Sequence, residues 1–217
     1  MIEFPPSTSF GRRVPKQKFY ENITMSPQLK RAFVVQISQI TWLHKIAPST
    51  ANLAEGESVK EVEVFLIRLN QRGLDTKVLT QIDKEIPYHV LFLLEYGGET
   101  QAWIGYKEES QTNSGTFKPG TYYHTEWSPP ENLILRLEGW NIDAAYENLI
   151  RQVAGGRLQT DADKDIGDAI NQDERRQKLE KEIAALEKKI QLEKQFNRQV
   201  DLNSELKRLK AESEGLG

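Results

Sequence analysis

Hydrophobic positions divide this chain into a body of mixed periodicity and a C-terminal tract with a single helical period. Ser26-Pro27 pairs a hydroxyl N-cap with proline at the first helical position, and Leu29, Phe33, Ile37 and Ile40 then recur at helical spacing. The chain is expected to turn extended from Thr41 to Ala47 and to close at Pro48, with Asn52 to Ser58 a polar turn. Val62, Val64, Leu66, Ile67 and Leu69 predict a strand that Gly73 breaks. Asp75 is placed to cap a short helix whose inner face is Val78 or Leu79, Ile82 and Ile86, with Pro87 as its stop. Val90-Leu91-Phe92-Leu93-Leu94 is apolar at consecutive positions, as expected of a strand covered on both faces. Gly97-Gly98 should turn it into an antiparallel partner, Gln101 to Tyr106. Ser110 to Gly120 reads as an exposed loop and Thr121 to Trp127 as a strand ended by Pro129-Pro130. Leu133, Leu135 and Leu137 alternate with Ile134, Arg136 and Glu138 and predict one more, half-buried strand. Asn141 caps a helix with Ile142, Ala145 or Tyr146, Leu149 and Val153 inward, ended by Gly155-Gly156.

Runs of adjacent strands bracketed by helices indicate an α+β fold. The expectation is a mostly antiparallel sheet of about five to six strands flanked by three helices, plus a C-terminal long helix or coiled coil. The strands before and after the second helix are candidates for a parallel pair joined by a right-handed crossover. The boundaries drawn from the sequence are a basic N-terminal arm over 1–25, the α+β domain over 26–156, a linker over 157–170, and the helical tract over 171–214.

Asn171 to Glu214 contains no Pro and no Gly, and one continuous helix of that length would run roughly 66 Å. Leu179, Ile183, Leu186 and Ile190 are spaced as a coiled-coil seam, whereas Leu202, Leu206 and Leu209 repeat out of phase with them. Glu193, Asn197 and Val200 occupy the break. Two structures satisfy this pattern: a helical hairpin, or a pairing with another chain in which the polar layer at Asn197 sets the register. Leu179, Ile183, Leu186, Ile190, Asn197, Val200, Leu202, Leu206 and Leu209 are therefore the partner-binding candidates.

Composition narrows the chemistry. Cysteine is absent, which removes disulfides, thiolate metal sites and a Cys nucleophile, and fits a reducing cytoplasm. No apolar run is long enough to span a membrane, and no signal peptide is expected at Met1 to Pro6. The net charge of −3 gives no bulk attraction to nucleic acid, so DNA contact would need a local patch. Arg12, Arg13, Lys16 and Lys18 with Phe19 and Tyr20 form such a patch; they read either as a solvated arm pinning its aromatics to the core or as a phosphate-contacting, base-stacking arm.

Phosphate loops, dinucleotide fingerprints and nucleophile elbows are missing from the sequence. His124-x-Glu126 has the spelling of zinc deaminases, which also need the cysteines this chain lacks. Asp75-Thr76-Lys77 has the D-x-K spelling of a metal-dependent nuclease, with Glu61 and Glu63 as further acids near a strand start. Glu61, Glu63, Asp75, Lys77, His124 and Glu126 are thus the catalytic candidates, with no metal site and no cofactor assigned. Trp42, Trp103, Trp127 and Trp140 are large anchors; at least two belong in the core, and any exposed one would mark a partner face.

Several stretches resemble one bacterial family, the domain of unknown function 4391. They are Val14-Pro15-Lys16-Gln17-Lys18-Phe19-Tyr20-Glu21-Asn22, Gln81 to His89, Ala102-Trp103-Ile104-Gly105-Tyr106-Lys107, Tyr122-Tyr123-His124-Thr125-Glu126-Trp127 and Lys194 to Val200. Glu126 stands where the family often has Asp. The resemblance supplies no activity for named residues. It implies an accessory role beside helicases and restriction–modification subunits in a bacterial restriction or anti-phage system. The expected function is a non-enzymatic adaptor in the cytoplasm. Its partners would be helicase, nuclease or methyltransferase subunits, or a second copy through the coiled coil; membranes are not expected. Direct DNA binding through the arm and a metal-dependent nuclease are the alternatives.

Overall fold

The central sheet joins six strands in the order β2-β3-β4-β5-β6-β7. They are β2 (Ser9–Val14), β3 (Ile37–Ile46), β4 (Val62–Leu69), β5 (His89–Tyr96), β6 (Glu99–Glu109) and β7 (Phe117–His124). In this computed structural model residues 2–21, 25–109, 117–158 and 165–215 are described. The chain divides into two units, Met1–Gly155 and Gly156–Gly217.

Neighbouring strands are antiparallel except β4 and β5, which run parallel in the register Val62↔His89 to Arg68↔Glu95. The crossover between them is the helix α3 (Thr76–Glu85), as the sequence predicted. Phe65, Ile67 and Leu69 of β4 share a face with Val90, Phe92 and Leu94 of β5, where Phe33 of α1 (Pro27–Gln36) and Val78, Leu79 and Ile82 of α3 complete a buried cluster. Leu91, Leu93, Ala102, Ile104 and Tyr123 point to the other face and are equally buried. There α4 (Ile142–Ala154) packs on β6 and β7, and the Tyr146 hydroxyl donates to the Gly105 carbonyl. Burying each large side chain such as Phe92 or Leu79 contributes about 1.5–3 kcal/mol.

Local signals fix the element ends. Ser26 Oγ accepts from the Leu29 N–H at 3.2 Å, Asp75 Oδ1 from the Lys77 N–H at 2.9 Å, and Asn141 Oδ1 from the Ala144 N–H at 2.8 Å. Each removes one of the unpaired donors of a helix start. Gly155 ends α4 at φ +59°, a conformation that favours glycine.

Several sequence expectations are corrected. The first helix stops at Gln36, and Ile37 and Ile40 belong to β3, because both lie in register with β4 at Leu69 and Ile67. Residues 1–25, read as an arm, contain β2, which pairs with β3; Phe19 and Tyr20 are buried, as the reading that pins them to the core expects. The strand expected over Leu133–Leu137 shrinks to β8 (Leu135–Arg136), which finds its parallel partner in β1 (Ile2–Glu3). The sheet already ends at β7, so only a short separate pairing is left for this segment. A single turn, α2 (Pro48–Ala51), follows β3. Residues 110–116 of the expected loop and 159–164 of the expected linker lie outside the described residues, while β7 already begins at Phe117 and the next helix at Ile166.

Two polar networks hold the body together. Lys107 Nζ lies 2.8 Å from Asp83 Oδ1 and donates to the carbonyls of Asp83, Ile86 and Tyr88, while the Tyr122 hydroxyl donates to Asp83 Oδ2 at 2.6 Å. Burial pushes the Asp83 carboxyl up and the Lys107 ammonium down, each opposed by the other's charge. The carboxylate and three carbonyls around Nζ favour the charged ammonium, which sits as a cation at the end of α3. Asp143, in the first turn of α4, accepts from the N–H groups of Glu57, Ser58 and Val59 and so fastens the 56–59 loop. His89 is buried against Tyr146 and pushed down to about 4 by burial, so it is neutral.

The described residues of the second unit form a helical hairpin, α5 (Ile166–Leu192) and α6 (Phe196–Glu214), packed together and joined by Glu193-Lys194-Gln195. Leu179 and Leu209 are buried, and Ile183, Leu186, Ile190, Leu202 and Leu206 are half-buried. Arg175–Glu212 at 2.7 Å and Lys210–Glu187 at 2.8 Å tie the helices across. The Glu193 carboxylate accepts the N–H groups of Lys194 and Gln195, both at 2.9 Å, and closes the turn. Near the start of α5, buried Asp173 receives Arg157, Arg176 and Gln177.

Candidate functional site

Of the sequence-predicted acids, Glu61 and Glu63 come together at the start of β4. The strand register sets Lys45 of β3 opposite Glu63, and Lys45 Nζ reaches Glu61 Oε2 at 2.8 Å. Trp42 Nε1 donates to Glu63 Oε2 at 2.6 Å, while Glu63 Oε1 is buried and meets no donor. Burial, followed by hydrogen bonding to Glu61, pushes the Glu63 carboxyl up to about 8. A proton on Glu63 lets it bond to Glu61, which an ionised pair cannot do. Near neutral pH the pair holds one proton, and Glu63, 2 % exposed, keeps it out of solvent.

The sign of the pH effect follows. An unfolded Glu titrates near 4.5, so between about 4.5 and about 8 the folded chain binds the extra proton. Stability from Glu63 is fully present below that window and is lost as pH rises through it, by up to about 1.4 kcal/mol per pH unit. Glu63→Gln keeps a neutral, hydrogen-bonding group at every pH. Thermal melts at pH 5 and pH 8 should show the wild type losing more stability than Glu63→Gln; equal losses would contradict the shared proton.

The other catalytic candidates lie elsewhere. Asp75 and Lys77 follow β4 and are engaged at the start of α3, whereas Glu61 precedes β4. A strand of that length spans roughly 26 Å. His124 stacks on Trp103 at 4.4 Å and lies near Gln101 and Thr125, on the far side of β5 and β6. Glu126 is exposed beyond the end of β7. Among the described residues, no group of three or more His, Asp or Glu is arranged to hold a metal ion.

The N-terminal basic residues divide. Lys16 Nζ donates to the carbonyls of Val34 at 3.2 Å and Ile37 at 2.7 Å, and so caps the end of α1. The Arg12 guanidinium lies 4.6 Å over the Phe10 ring, which in turn packs on Trp42. Phe19 and Tyr20 are buried, the latter against Phe33, so neither ring presents a stacking face. Arg13 and Lys18 are exposed, and Arg13 lines a groove of about 290 Å³ with Lys16, Gln17 and Gln39.

The partner-binding candidates also divide. Leu179, Ile183, Leu186, Ile190, Leu202, Leu206 and Leu209 face inward within the hairpin, while Asn197 and Val200 lie outside at its turn. Two neighbours that the seam pattern missed join them there: Leu192 is 81 % exposed and Phe196 76 %, with Val200 at 48 %. Their signal was being apolar yet out of phase with both seams. Lys45 and Trp42 were missed because only strand pairing brings them to Glu61 and Glu63. Of the tryptophans, Trp42, Trp103 and Trp127 pack against the core and Trp140 is 76 % exposed.

A family model described as Domain of unknown function (DUF4391) matches residues 2–212. No curated protein and no solved structure matches the chain.

Proposed function

Because this chain belongs to the DUF4391 family, whose description assigns no activity, we propose from its geometry that it is an accessory, partner-binding protein. Its C-terminal hairpin makes the contact. The observation that carries this reading is the apolar turn: Leu192, Phe196 and Val200 stand in solvent although both helices already satisfy their seams against each other. Large apolar side chains clustered at the end of a packed hairpin fit a surface that another protein covers. The setting, a bacterial restriction–modification or anti-phage system with helicase, nuclease or methyltransferase partners, rests on the family resemblance.

Direct DNA contact has weaker support, since Phe19 and Tyr20 are buried and Lys16 serves α1. A nuclease centre on the six candidate acids and bases has weaker support again, since β4 and β5–β6 separate them.

Co-expression with the proteins encoded beside it tests the proposal. The full chain should co-purify with them and protect cells from phage. A chain ending before Gln159, or the full chain with Leu192→Asp, Phe196→Asp and Val200→Asp, should lose both properties by at least roughly tenfold. Retention of both by either variant would reject the hairpin as the contact.

A further inference from the structure

We propose that the hairpin turn of one copy docks into the Trp140 groove of a second copy, giving a head-to-tail association. The proposal rests on the reading of the turn as a docking surface and names one occupant for it.

The two surfaces complement each other in shape and charge. Around Leu192, Phe196 and Val200 stand Lys188, Lys189, Lys194 and Arg198. Lys188 and Lys189 precede Leu192 by one helical turn and share its side of α5. Glu193, the one acid in that stretch, folds its carboxylate onto its own backbone. The turn is therefore basic with an aromatic centre. On the body, Glu55, Glu57, Trp140, Asp143 and Glu147 line a groove of about 490 Å³. Asp143 is occupied by backbone N–H groups, and the nearby Lys60 ammonium is held by the Gly56 and Glu57 carbonyls. Glu55 and Glu57 are exposed beside Trp140.

A groove of this size is within the range that encloses small organic groups, about 300–1,000 Å³, and can receive one aromatic ring. Phe196 would meet the Trp140 indole, an offset or edge contact being favoured. The lysines and Arg198 would meet Glu55 and Glu57, with a cation over the indole adding to the attraction. Like-with-like pairing is disfavoured, because two turns would oppose cations and two grooves would oppose carboxylates. A contact between unlike surfaces is heterologous, so it builds rings or open chains rather than a simple two-fold dimer.

Light scattering on the full chain over a concentration series tests this. At about 50 mM salt the mean mass should rise above the 24.9 kDa of one chain, and at about 500 mM salt it should return to that value. Trp140→Ala and Phe196→Ala should each abolish the rise. The chain with Glu55→Lys and Glu57→Lys, and the chain with Lys188→Glu, Lys189→Glu and Lys194→Glu, should each stay at one chain's mass, while their equimolar mixture associates. All these positions are at the surface, and circular dichroism checks the fold of each variant. A wild type that stays at one chain's mass throughout, or a mixture no heavier than its components, overturns the proposal. If that happens while the truncated chain still loses its neighbours, the adaptor reading survives alone. If Trp140→Ala ends self-association but keeps those neighbours, the two contacts are separate.

Discussion

Lys107→Met is expected to destabilise the body by about 3–5 kcal/mol, the largest effect of any single substitution considered for this protein. The Lys107 and Asp83 side chains are each only 1 % exposed, so losing the ammonium strands a carboxylate in the interior. Protonation of Asp83, already favoured by burial, would relieve part of that cost. The carbonyls of Asp83, Ile86 and Tyr88 have no such escape, because Lys107 is the donor they share. A double substitution separates the two effects. For a simple buried pair, replacing both partners with apolar groups is often nearly neutral. Here Asp83→Leu with Lys107→Met should remain at least about 2 kcal/mol below the wild type, since the carbonyls at the end of α3 stay unpaired. Urea unfolding of the three proteins measures this, and a double variant as stable as the wild type would show that Lys107 acts on Asp83 alone.

Asp143→Ala is expected to cost about 2–3 kcal/mol, as for a charged acceptor with several backbone donors. Its oxygens take the N–H of Glu57 at 2.7 Å and of Val59 at 2.6 Å, with Ser58 at 3.3 Å. The chain passes so close that a Cβ on Gly56 would fall 2.6 Å from Asp143 Oδ1 and 2.5 Å from the Val59 carbonyl. Glycine is required there by space. Asp143→Asn should recover part of the loss, because one oxygen remains an acceptor while the amide nitrogen faces the other donors. Hydrogen exchange at the Glu57 and Val59 amides should rise by at least tenfold in Asp143→Ala, and unchanged protection would reject the clamp. Because this loop carries Glu55 and Glu57, the same substitution should also weaken the self-association proposed above.

Much of the fold was legible along the chain. Caps announced α1, α3 and α4 at Ser26, Asp75 and Asn141, and Gly97-Gly98 announced the hairpin of β5 and β6. These signals are local: a capping side chain or a turn glycine satisfies its own backbone within a few residues. The errors came where a local pattern was ambiguous. Leu29 to Ile40 has one helical spacing throughout, yet the strand begins at Ile37, because pairing with Leu69 outweighs continuation of the helix. Alternation at Leu133, Leu135 and Leu137 read as a full strand, but only two residues find a partner.

The candidate sites were legible in part. Glu61 and Glu63 could be named from their i, i+2 spacing at a strand start, but not the proton they share. That depends on Trp42 and Lys45 arriving from β3 and on the burial of Glu63. The phase break between Glu193 and Val200 marked the turn of the hairpin, whereas nothing in the sequence said which tryptophan, if any, would be exposed.

By itself, then, the sequence determined the α+β class, the extents of β4, β5, α3 and α4, the absence of cysteine chemistry and the two out-of-phase seams. All of these follow from side-chain type and spacing within one segment. Only the tertiary structure decided that Phe19 and Tyr20 are core and that Lys16 and Lys107 serve helix ends. It also decided that Glu63 is buried beside Glu61, and that Trp140 and Phe196 are left in solvent. Each of these turns on which residues distant in the chain come to share a face, and on how much water that pairing removes.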